Sequence, residues 1–129
     1  MKKITALSII LLIIFCSNEK KREKLIGKWE IADSRFYNVA TKEERTWLPP
    51  DISGSITFDD KGWSINVRRS DGFIVKGGGV YRIRSNRVIL KFYMGLSWTS
   101  ILESDTLILN VKPTLPIDPD GFVLRFYKK

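Results

Sequence analysis

From Leu25 onward, apolar side chains recur at every second position, and short polar turn sequences break the pattern at close intervals. Within Trp63–Arg69, Trp63, Ile65 and Val67 alternate with Ser64, Asn66 and Arg68. A helix needs a spacing near 3.6, whereas a spacing of two puts one set of side chains on each face of a sheet. The alternation marks further strands over Ile26–Arg35, Ser53–Asp59, Phe73–Arg84, Arg87–Tyr93, Trp98–Glu103, Thr106–Val111 and Gly121–Lys128. Asp59-Asp60-Lys61-Gly62, Ser70-Asp71-Gly72, Ser85-Asn86 and Ser104-Asp105 join neighbours as tight turns. This run of eight short strands predicts an all-β fold, an eight-stranded antiparallel up-and-down barrel whose closure removes bare edges. Gly77-Gly78-Gly79 predicts a bulge or sharp bend inside its strand. The longer connections Phe36–Ile52 and Lys112–Asp120 are expected to be lids over the barrel or plugs of one end.

The segment before the barrel is of another kind. Met1-Lys2-Lys3 is basic, Ile4 to Phe15 is uncharged and mostly aliphatic, and Cys16 follows at once. The apolar run is short for a bilayer crossing, which takes about 20 residues, and fits the apolar region of a secretory signal. Residues 1–16 therefore read as a signal, residues 17–24 as a flexible charged tether, and residues 25–129 as one barrel domain.

Composition excludes several chemistries. The chain has one cysteine, so no intrachain disulfide forms. It has no histidine, which removes Ser-His-Asp and Cys-His catalysis and imidazole metal sites. The acids sit mostly in turn sequences and form no evident catalytic pair. The expectation is a monomeric, non-enzymatic binding protein with no cofactor and no metal. Its 22 basic residues against 14 acidic favour anionic partners, though not nucleic acid if the chain is exported.

Two resemblances sharpen these expectations. Ile13-Ile14-Phe15-Cys16 resembles the end of a bacterial lipoprotein signal peptide. That likeness implies lipidation of Cys16 and a place in the cell envelope, on a membrane. An uncleaved N-terminal anchor is the alternative. Gly27-Lys28-Trp29 at the head of the first strand resembles the lipocalin-like domains of bacterial lipoproteins. So do Ile56-Thr57-Phe58-Asp59-Asp60-Lys61-Gly62, Gly79-Val80-Tyr81-Arg82-Ile83 and Asp105-Thr106-Leu107-Ile108-Leu109. In that family the Trp closes one end of the barrel beneath a basic residue of the last strand. The resemblance implies that role for Gly27, Trp29 and Arg125.

Two candidate sites follow. An eight-stranded barrel is either filled or holds one small ligand. If a pocket exists for a small apolar or amphipathic ligand, Tyr81 is expected to line it, with Phe36, Tyr37 and Trp47 covering it. Alternation also turns Arg68, Arg82, Arg84 and Arg87 outward, where they are expected to form one patch for an anionic partner. Such a basic outer face, or the long loops, would serve the alternative role of a protein-interaction or inhibitor module.

Overall fold

The computed structural model describes residues 19–129; Cys16 and the rest of the signal segment lie outside them. Nine strands follow in order: β1 (Gly27–Asn38), β2 (Glu44–Trp47), β3 (Ile52–Phe58), β4 (Trp63–Arg69), β5 (Ile74–Arg84), β6 (Arg87–Phe92), β7 (Ser97–Glu103), β8 (Thr106–Val111) and β9 (Asp120–Lys128). Every pairing is antiparallel, and β9 returns to β1 to close the barrel. β2 and β3 share one edge of β1. β3 pairs with Gly27–Glu30 and β2 with Ser34–Tyr37, so the two act as halves of one interrupted strand. The closed wall thus counts eight strands, as the alternation predicts.

The inward residues form the core. Trp29, Ile56, Val88, Leu90, Leu107, Leu109, Leu124 and Phe126 are fully buried. Toward the other end the filling turns aromatic: Trp63, Phe92, Trp98, Phe122, Phe36 and Phe73 touch in sequence, with successive ring centroids 4.6–6.0 Å apart. Edge-to-face contacts dominate this row, the geometry that ring quadrupoles favour. The interior is packed with side chains rather than hollow.

The three glycines produce no bulge; β5 runs through them in regular register. They serve close approach instead. A Cβ on Gly79 would stand 1.8 Å from the Lys91 carbonyl oxygen, and one on Gly77 would stand 2.6 Å from the Phe92 ring. β5 passes here from its pairing with β4 to its pairing with β6, and the bare backbone lets three strands crowd together.

The two barrel ends differ. The turns at Asp59–Gly62, Ser85–Asn86 and Ser104–Asp105 mark one end, closed beneath a short helix. Residues 19–25, most of which the sequence reads as a flexible tether, form this helix α1. Its last residue, Leu25, is fully buried, and its carbonyl accepts a 2.8 Å hydrogen bond from Trp29 Nε1. No apolar period betrays so short a charged helix; the plug rests on Leu25. At the Asp59 turn, the Lys61 and Gly62 N–H groups donate to the Asp59 carboxylate at 2.8 and 2.7 Å. The opposite, open end carries the loops before β2, β3, β5, β7 and β9.

Candidate functional site: the open-end cleft

Trp29 is fully buried at the closed end, but Arg125 is not its partner. Leu124 and Phe126 point inward, so alternation turns Arg125 outward, where its guanidinium pairs with Asp33. The Cα partner of Trp29 is Lys128. Its Nζ stands 5.8 Å from the indole centroid and donates to the Lys24 carbonyl. The end of β9 lets a long flexible stem fold back over the rim. Gly27 adopts φ +131°, and a Cβ there would press on the Lys128 stem at 3.2 Å.

The open end holds a cleft of about 820 Å3, between the β1–β2 loop and the β8–β9 loop. Phe36, Tyr37 and Trp47 all line it. Tyr81 does not. It packs edge-on against Phe58 at 5.3 Å, and its hydroxyl donates to the Asp59 carbonyl at 2.7 Å. Alternation correctly brought Tyr81 toward the interior side, but β5 carries it to the closed end, away from any ligand mouth.

Arg69 dominates the cleft floor, and sequence reasoning missed it. Its guanidinium carbon lies 4.5 Å from the Phe36 ring centroid, 4.7 Å from Trp47 and 4.4 Å from Phe73. The same guanidinium makes a two-pronged pair with Asp71, at 3.0 and 2.6 Å. That contact, with the Phe73 N–H, holds the Asp71 carboxyl below its ordinary range. The Arg69 side chain is only 16% exposed. A signal was present: Arg69 shares the inward parity of Trp63, Ile65 and Val67. An arginine at an inward position of a strand end needs aromatic faces or a carboxylate, and the Asp71 turn supplies one. Above this stopper Arg45 lies 4.0 Å from the Trp47 centroid.

The cleft accordingly offers an aromatic floor and a charged rim that includes Glu43, Asp118, Asp120, Arg45 and Lys112. Such a mouth suits shallow, amphipathic binding rather than deep enclosure of an apolar body. Among the described residues there is no group of three or more Cys, Asp or Glu placed to share a metal ion.

The basic stripe divides. Arg68, Arg82, Arg84 and Arg87 all face solvent. Arg84 and Arg87 are Cα partners, with Arg82 next on the same face. Arg68 instead stands opposite Ile74, eight residues before Arg82 along β5. At about 3.3 Å per residue that is roughly 26 Å away. One patch of four becomes a cluster of three and a separate residue, because β5 is long and pairs with β4 and β6 through different halves.

Geometry and connectivity define the molecule as a closed eight-stranded antiparallel barrel, consistent with a lipocalin-like fold. Comparison of the chain with protein-family models, curated proteins and solved structures finds no match.

Proposed function

We propose that this chain is a membrane-held lipocalin-like lipoprotein of the bacterial cell envelope, anchored through Cys16. It acts as a non-enzymatic module that binds a small amphipathic ligand at the barrel's open end. One observation carries the reading: the interior is filled, and an open cleft of about 820 Å3 lies over the Phe36–Trp47–Phe73 rings at the mouth. The ligand's apolar part rests on these rings and its polar part meets the charged rim. Full-length protein, incubated with a total envelope lipid extract and re-isolated, is expected to retain a discrete added mass in native mass spectrometry. Tyr37→Ala, at the lip, should lower its occupancy. No retained mass in wild type sinks the reading. The filled interior also favours a second role, docking of a protein partner by the loops, which in-membrane crosslinking from the β8–β9 loop would reveal.

A further inference from the structure

The outer wall over β7 and β8 carries a second groove, of about 690 Å3. It meets the open-end cleft only at the root of the β8–β9 loop, where Val111, Lys112 and Thr114 border both. Ile101 and Ile108 are Cα partners on its floor, and Leu96 closes its upper end. Arg87 is the Cα partner of Ile101, and Arg84 that of Arg87. Cross-strand partners share a face, so Arg84, Arg87, Ile101 and Ile108 stand in one row across four strands. From the Ile101 level to Ser97 the groove spans roughly 13 Å at about 3.3 Å per residue.

The charge around this groove is one-sided. Its lining includes Arg87 and Lys112 and no carboxylate. Glu103 stands one step further along the outer face of β7, outside the lining. Among the described residues neither Arg84 nor Arg87 forms an ion pair. Two opposed guanidinium groups repel each other, and an anion between them removes that repulsion. Ile101 and Ile108 are only partly exposed, set into the groove. Both line the groove, where a single alkyl chain can lie against them.

We infer that this groove binds one free single-chain anionic amphipath. Its anionic head lies at Arg84 and Arg87, and its alkyl tail runs over Ile101 and Ile108 toward Leu96. The site is independent of the open-end cleft. The test uses the full-length chain in nanodiscs of zwitterionic lipid, with isotope-labelled isoleucine methyls and tryptophan indole N–H groups, titrated with decanoate. Ile101 and Ile108 methyl signals should shift saturably. Decanol and decyltrimethylammonium should bind at least tenfold more weakly. Arg84→Gln with Arg87→Gln, both exposed and so tolerated by the fold, should weaken decanoate at least tenfold while other methyl signals stay in place. Ile108→Asp should do the same from the tail side. Equal response to decanol, undiminished binding by the double variant, or shifts confined to the Trp47 indole would each overturn the assignment. So would Ile101 and Ile108 shifts produced by anionic nanodisc lipid alone, which would make the occupant a membrane surface.

Discussion

A single arginine decides what kind of mouth this barrel has. Arg69 is held by three rings and one carboxylate, so its removal uncovers aromatic faces and leaves Asp71 without its partner. Arg69→Ala should cost about 1–2 kcal/mol, the range for a largely desolvated cation on aromatic faces, as read from urea unfolding. The pair also imposes a pH dependence. Hydrogen bonds from Arg69 lower the folded-state pKa of Asp71. The unfolded chain therefore binds the proton first, and the contribution is complete above the ordinary carboxylate value of about 3.9. It is lost as pH falls below that value toward the depressed one. Unfolding midpoints measured from pH 5 downward should show Asp71→Asn lacking part of the wild-type decline. Parallel curves would mean the pair contributes nothing. At the closed end, Trp29→Ala should cost about 3–5 kcal/mol, as for other large buried aromatics. Trp29→Phe should cost less, about 1–3 kcal/mol, chiefly for the Leu25 carbonyl left without its donor.

At the scale of elements, the glycine run supplies a graded test. Gly79 faces the Lys91 carbonyl, a backbone atom that cannot yield without moving a strand. Gly77 faces the edge of the Phe92 ring, which can rotate or shift. Gly79→Ala should therefore exceed the usual overpacking cost of about 1–3 kcal/mol, and Gly77→Ala should fall within it. Thermal unfolding of the two variants ranks them, and the reverse order would contradict the crowding described for β5. The same element shows what the sequence made legible and what it did not. The strands of the hairpin meander were readable because each buries one face and ends in a Gly, Asp, Asn or Ser turn; Trp63–Arg69 and Thr106–Val111 match the alternation residue for residue. β2 escaped because Glu44–Trp47 is four residues long and runs into Pro49-Pro50, so alternation had no length to register. Phe36, Tyr37 and Trp47 were legible as a cluster of aromatics on one long connection. Arg69 as their centre was not, since its partners come from three separate elements. The break in the Arg stripe was hidden for a related reason: parity says which face a residue takes, and only strand pairing says how far along the wall it lies.

At the scale of the molecule, the two ends have separate tasks under the proposed anchoring. The chain enters through α1, whose Leu25 seals the closed end, and Lys20, Lys21, Arg22 and Lys24 lie in that helix. Lys128 ends β9 at the same pole, and Lys129 follows it. A chain lipidated at Cys16 would therefore set its closed end against the bilayer. There the basic residues add attraction to anionic headgroups to the hold of the lipid itself. The open-end cleft would then face away from the membrane, free to meet its ligand. Cys16→Ser should release the protein into soluble fractions. If it stays in the membrane and the wild type carries no lipid mass, the apolar run is itself the anchor. Orientation has its own measurement. Ile117, 85% exposed on the β8–β9 loop, marks the open end, and Lys61, in the turn after β3, marks the closed end. In isolated membranes with the protein-bearing face accessible, a bulky water-soluble maleimide should label Ile117→Cys rapidly and Lys61→Cys several-fold more slowly. Detergent should bring the two rates together. Equal rates on intact membranes would mean that the barrel tumbles freely on its anchor, and that the basic pole does not hold it to the surface.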